Sequence, residues 1–183
     1  MHLTGTGVHH QAPELGSVGS ASELLDVVRT IAATRQGPVY LHGWDESGWR
    51  DRTPPTLAEL DGVTDRPLGL ARVDGHLLLA NSAALGATDA AGEPGVETDD
   101  AGVPTGRVAA KAGVLAKRWF ATHLSEHDVE ELQLEAASLA VAYGVTTIHE
   151  MSMPAERGMR DLEILLGHRS RLPPLRSLSN RSL

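Results

Sequence analysis

Nine histidines, 24 carboxylates and no cysteine in 183 residues set the chemistry open to this chain. Without thiolates, a metal ion would have to be held by His, Asp or Glu, a donor set that suits zinc and its neighbours in hydrolytic centres. Asp74-Gly75-His76 places a carboxylate and an imidazole two apart, around a glycine that can take unusual dihedrals. Such a pair either orients a substrate or pins a loop, and loop fixation is the favoured reading. Asn81-Ser82 follows closely, and these two residues can also serve simply as a helix cap. Trp44, Glu46 and Trp49 either line a substrate pocket or pack on a core short of aromatics, which make up 3% of the chain. His149 closes the run Gly144-Val145-Thr146-Thr147-Ile148 with Glu150 beside it. A His there either faces a substrate or is satisfied by a backbone carbonyl. His123 and His127 are four apart, the spacing of two ligands on one helix face. Ser125 between them reads as an N-cap, however, so both are expected in solvent, and the pair His9-His10 warrants the same caution. No phosphate-binding glycine loop and no serine nucleophile elbow is present.

Helices and strands must position these groups. Leu24, Leu25, Val27, Val28, Ile31 and Ala32 predict a helix over 22–35, with Ser22 as cap and Gly37 as stop. Residues 38–42 read as a buried strand and 68–73 as a second. Thr56-Leu57-Ala58-Glu59 has the spacing of a capping box and opens a short helix ending near Gly62. Asn81 can cap another helix through Ala87. From 88 to 106 the chain turns Gly-, Pro- and acid-rich, which predicts an exposed loop or small hairpin. Ser125 and Asp128 form a second capping box before a helix over 126–143, whose stripe is Val129, Leu132, Ala136, Leu139, Ala140 and Tyr143. Val145 to His149 reads as a β-branched strand, and a further helix covers about 156–166. Strands alternating with helices imply a parallel α/β arrangement. The last residues, 177–183, are low-complexity Ser, Arg and Leu, and an irregular tail is expected there.

The formal charge of −8 argues against nucleic acid as a partner, which would call for a basic stripe. No stretch approaches the ~18–20 apolar residues of a membrane helix. The N-terminal residues lack the pattern of a signal peptide, so the expected location is cytoplasmic.

One stretch goes beyond periodicity. It reads Gly43-Trp44-Asp45-Glu46-Ser47-Gly48-Trp49, then Pro55-Thr56 with Leu60-Asp61, then Arg72-Val73-Asp74-Gly75-His76, then Asn81-Ser82-Ala83-Ala84-Leu85. This order resembles the amidohydrolase superfamily, in its metal-dependent family 3, the branch of the N-substituted formamide deformylases. The resemblance covers His2 to about Arg176. It implies a (β/α)8 barrel of TIM type, of which this chain would be a part truncated at both ends. Residues 1–176 would form the partial barrel, about 43–120 would include a family insertion, and the flanking β-sandwich and later strands would be missing. It also implies a divalent metal, zinc by preference, and hydrolysis of a non-peptide C–N bond in a small amide or formamide substrate. Met1-His2-Leu3 looks like the second half of the family's His-x-His motif, which makes His2 a metal ligand by descent. Trp44, Glu46, Asp74, His76 and His149 would be substrate-binding, and His149 stands where barrel strands face the site. The other ligands would come from strands after Arg176; Lys111 and Lys117 are wrongly placed for the family's bridging lysine. The isolated chain is therefore expected to bind metal weakly and to lack turnover. The alternative is a catalytically silent remnant or a binding module.

Overall fold

The computed structural model describes residues 2–90, 92–151, 159–173 and 176–179. In chain order its elements begin with α1 (Leu3–His10), α2 (Ala21–Thr34), β1 (Val39–Trp44), α3 (Leu57–Asp61) and β2 (Leu68–Arg72). They continue with β3 (Leu78–Ala80), α4 (Ser82–Ala87), β4 (Val96–Thr98), β5 (Pro104–Val108) and α5 (Ala110–Thr122). The last are α6 (Glu126–Ala142), β6 (Thr147–Glu150), α7 (Arg160–Gly167) and β7 (Arg176–Ser179). The chain divides into two compact units, Ala12–Phe120 and Met1–Gln11 with Ala121–Leu183. Among the described residues no helix is long and apolar enough to cross a membrane.

The unit Ala12–Phe120 is built on a five-stranded sheet in the order β1-β2-β3-β5-β4. Only β1 and β2 run parallel, with Val39 opposite Leu68, joined by a crossover that carries α3. The pairs β2–β3, β3–β5 and β4–β5 are antiparallel. This corrects the all-parallel expectation, and the reason is connection length. A tight turn links β2 to β3, and such a link permits only an antiparallel return. Gly75 makes the turn possible with a φ of 71°, a conformation that costs a glycine nothing. The segment 88–106 holds the hairpin β4–β5 at the sheet edge. Leu24, Leu25 and Val28 of α2 pack with Leu41, Trp44, Leu60, Leu68, Leu70 and Leu79 in the main core. Each fully buried leucine there contributes about 1.5–3 kcal/mol of transfer free energy. α2 is capped by Ser20, whose hydroxyl accepts from the Glu23 N–H at 3.2 Å, two residues before the Ser22 predicted. α3 shows its capping box as expected.

The second unit gathers α1, α6, α7 and the parallel pair β6–β7. Its core is Leu3 with Ala136, Ala137 and Ala140 of α6, Ile148 of β6, and Leu162 and Leu165 of α7. α6 opens on the Ser125–Asp128 capping box. The burial of α6 departs from the predicted stripe: Leu139 is only half-buried and Ala137, outside the stripe, is buried. Tyr143 is 81% exposed, while the polar Gln133 is buried. Arg176–Ser179 form β7, in register with Thr147 to Glu150 of β6, so the part of the tail 177–183 that is described, 177–179, is strand where irregular chain was expected. Backbone pairing satisfies N–H and C=O groups whatever the side-chain composition, so a low-complexity sequence does not forbid it. The start of the helix placed at 156–166 lies outside the described residues; its described part is α7.

Candidate functional site

The sequence-predicted site residues fall into two groups, one in each unit. In the unit Ala12–Phe120 the group centres on Arg72, at the end of β2. Its guanidinium donates from Nε to Glu46 Oε2 at 2.8 Å, from Nη1 to Asp74 Oδ2 at 2.5 Å and from Nη2 to Asp45 Oδ1 at 3.3 Å. One cation thus serves three carboxylates and ties β1, β2 and the following turn together. Asp74 also accepts the His76 N–H at 2.8 Å, and Lys117 Nζ donates to the Gly75 carbonyl at 2.5 Å. The backbone bond from His76 comes first, and with the Arg72 charge it holds the Asp74 carboxyl below the usual carboxylate range. Asp45 is lowered chiefly by hydrogen bonds from Ser47, with Arg72 adding its charge. These bonds make the Asp-Gly-His element a pinned turn with an exposed His76 at its end.

Trp44 and Trp49 pack in the core. Trp44 is fully buried with Nε1 donating to the Leu70 carbonyl at 2.9 Å, and Trp49 Nε1 donates to the Val18 carbonyl at 2.8 Å. That placement takes Trp44 out of contact with any ligand in solvent. Asn81 does more than cap α4. Its Oδ1 accepts from the N–H of Leu68 and of Ala84, each at 2.9 Å, and its Nδ2 donates to the carbonyls of Thr64 and Arg66. All four hydrogen-bonding positions of a buried amide are used, which ties the start of β2 to α4. Ser82 in turn donates from N and Oγ to the two oxygens of Asp61.

In the other unit His2 stands in extended backbone directly before α1 and gives no side-chain cap to that helix. Glu150 replaces the missing cap from a distance: its Oε2 accepts the Leu3 N–H at 2.9 Å. Glu150 is 6% exposed. Burial pushes its carboxyl up, opposed by the Leu3 hydrogen bond and by the neighbouring His2. β6 alternates, so Ile148 and Glu150 are buried while Thr147 and His149 lie on its exposed face. Behind α1 is a buried polar group that sequence reading missed. Gln133 Nε2 donates to Thr4 Oγ1 at 3.1 Å and to the Asp161 carbonyl at 2.8 Å. Its Oε1 accepts from His168 Nε2 at 2.7 Å. Burial lowers the His168 pKa, which favours the neutral ring. One signal was available: Gln133 directly follows Leu132 at a phase of α6 that faces inward, where a polar side chain needs partners.

Among the described residues no three His, Asp or Glu side chains stand together in a way that could hold a metal ion. A catalytic zinc needs three protein ligands, and His2 has no such companions among the described residues.

A sequence profile described as the Amidohydrolase family matches residues 1–171. The chain belongs to the amidohydrolase family. His2, the Arg72 group, His149, Glu150, Gln133 and His168 all lie inside the matched residues. This amidohydrolase chain is 28% identical over 160 residues to Protein LONG AFTER FAR-RED 3 of Arabidopsis thaliana, across 82% of this chain and 27% of that protein. Its fold is similar to that of an uncharacterized metal-dependent hydrolase from Pyrococcus horikoshii OT3, with a TM-score of 0.67 and 22% identity. A second uncharacterized metal-dependent hydrolase, from Pyrococcus furiosus, gives a TM-score of 0.65 and 23% identity. Both cover 98% of this chain, and the chain spans 34% and 36% of their lengths.

Proposed function

We propose that this amidohydrolase acts as a metal-dependent hydrolase of non-peptide C–N bonds, with small amides or N-substituted formamides as substrates. The family match across residues 1–171 carries the reading. The fold likeness to two metal-dependent hydrolases agrees with it. In this reading the parallel pair β6–β7, with α6 before it and α7 after β6, is one sector of a (β/α)8 barrel. His2 is then offered to a divalent ion, zinc by preference, and the exposed His149 of the same unit to substrate. In the unit Ala12–Phe120, His76 is a separate candidate for substrate contact, and Glu46 and Asp74 hold the turn before it through Arg72. The described residues do not complete a metal centre, so no step is routed through an ion. A zinc-type site needs three protein ligands, and no such group stands together among the described residues. The isolated chain is therefore proposed to lack turnover, and the same shortfall favours a second reading, a binding module without catalysis.

The test is bound zinc by elemental analysis, with amine release from a panel of N-formyl and N-acyl amines. It is run on the 183-residue chain and on the complete polypeptide translated from its gene. Amine release by the metal-bound complete polypeptide supports the proposal. No release from any member of the panel overturns it and leaves the binding module. Tight stoichiometric zinc in the 183-residue chain would overturn its proposed inactivity.

A further inference from the structure

α1 is a poor helix by its own composition. Its eight residues include Thr4, Gly5, Thr6 and Gly7, and its first turn carries no acidic residue. Its N-cap, His2, makes no side-chain hydrogen bond to it. The first N–H groups of any helix have no partner inside it. Here two side chains from far along the sequence take hold of the first two residues. Glu150 accepts from the Leu3 N–H, and Gln133 donates to the Thr4 hydroxyl. Gln133 is itself fixed by the Asp161 carbonyl and by His168. Both holding groups are more than nine-tenths buried. Stability alone accounts poorly for them, since burying a carboxylate costs more than one backbone hydrogen bond returns. The two residues held are the ones that immediately follow His2.

We propose that Glu150 and Gln133 are positioning residues that fix the backbone at Leu3 and Thr4 and so set where His2 points. This rests on the reading in which His2 serves the site, and it adds residues that act through His2 without touching substrate. The Glu150 carboxyl at the N-terminal end of α1 lets one group both cap the helix and hold it. Leu3 N–H donates to a buried, protein-held oxygen, so its geometry is more tightly set than a water-capped terminus allows.

The experiment compares wild type with Glu150→Ala, Glu150→Gln and Thr4→Val. It follows hydrogen exchange at the Leu3 amide and the nuclear Overhauser contact between His2 Hβ and the Gly5 Hα protons. These groups adjoin, since a Cβ at Gly5 would stand 3.5 Å from the His2 Cβ. Glu150→Ala is expected to speed Leu3 exchange about tenfold or more, as loss of a buried hydrogen bond does. It is also expected to erase the His2–Gly5 contact while α2 amides keep their wild-type rates. Glu150→Gln retains an acceptor oxygen and restores both signals. Thr4→Val removes only the hydroxyl and weakens the His2–Gly5 contact. If Glu150→Ala does not fold, the Gln and Val variants decide the matter. Unchanged His2–Gly5 contact and Leu3 exchange in every folded variant overturn the proposal. In the complete polypeptide, Glu150→Ala lowers kcat at unchanged KM and Glu150→Gln rescues it. Turnover in which kcat ignores Glu150→Ala also overturns it. No turnover in wild type sinks the functional reading and leaves exchange and contact data to judge the positioning role.

Discussion

Replacing Gly7 by Ala would place a methyl group 2.3 Å from the Leu132 carbonyl oxygen, and 2.8 Å from both the Leu132 carbonyl carbon and its Cβ. Ordinary non-bonded contact begins near 3.5 Å, so α1 and α6 would have to separate locally by about 1 Å. The obstacle is helix backbone, which cannot swing aside as the tip of a side chain can. Overpacking of this kind costs about 1–3 kcal/mol, and the upper half of that range applies to a rigid neighbour. Ala gains about 1 kcal/mol over Gly in helix propensity, leaving a net loss of roughly 1–2 kcal/mol. Gly5 supplies the internal control. A Cβ there meets only the His2 Cβ at 3.5 Å, an ordinary contact. Gly5→Ala in the same helix should therefore stabilise by about 0.5–1 kcal/mol. The two variants differ by one methyl each from the same parent, two residues apart, and are expected to move in opposite directions. Urea denaturation followed by far-ultraviolet circular dichroism measures the midpoints, and with slopes of ~1–3 kcal/mol/M the two should stand about 1 M apart. A Gly7→Ala midpoint equal to or above that of Gly5→Ala would refute the close approach of α1 and α6.

Three further expectations follow from the buried polar groups. The His168 pKa is lowered in the fold, chiefly by burial, with Glu130 drawing it up and Arg171 pushing it down. The unfolded chain then binds the proton first, so stability should fall as pH drops below the ordinary imidazole value near 6.5. His168→Gln, which keeps a donor for Gln133, should flatten that slope in urea midpoints taken from pH 7.5 to 5.5. Glu150 has the opposite sign: burial, opposed by the Leu3 hydrogen bond and His2, raises its pKa, so the fold disfavours the ionised carboxylate relative to the unfolded chain. Its contribution is present below the ordinary value of 4.5 and is lost as pH rises through the folded one. Glu150→Gln should remove that decline, seen as a midpoint difference from wild type that grows with pH above 4.5. Asn81→Ala strands four backbone partners at once and should cost about 3 kcal/mol, whereas Asp74→Asn at the exposed turn should cost under about 1 kcal/mol. Equal losses for these two in chemical denaturation would contradict the assignment of Asn81 as the tie between β2 and α4.

Local chemistry was legible where the partners are close in sequence. Thr56 with Glu59 and Ser125 with Asp128 announce helix starts because a capping box needs only four residues. α1 was hidden, since its glycines and threonines argue against a helix and its support comes from Leu132, Gln133 and Glu150. β3 was hidden because Leu78–Ala80 is too short to show a strand period. The Trp44 alternatives could not be separated by sequence, because the deciding partner, the Leu70 carbonyl, stands on a neighbouring strand. Among the site residues, Asp74 could be read as a pin because His76 lies two residues away. Glu46 and Asp45 could not be assigned to Arg72, 26 and 27 positions on, without the pairing of β1 with β2. The tail from 177 misled because composition reports on side chains, whereas β7 is a matter of main-chain pairing.

The unit that holds α1 is discontinuous in the chain, closing only when residues beyond Ala121 come back to Leu3 and Gly7. During synthesis at about 5–20 residues per second, the first helix waits roughly 6–25 seconds for α6 to be made. The stretch Ala12–Phe120, whose sheet is complete by β5, is free to gather its own core in that interval. Leu3 and Val8, buried once the unit has closed, spend that wait exposed to water.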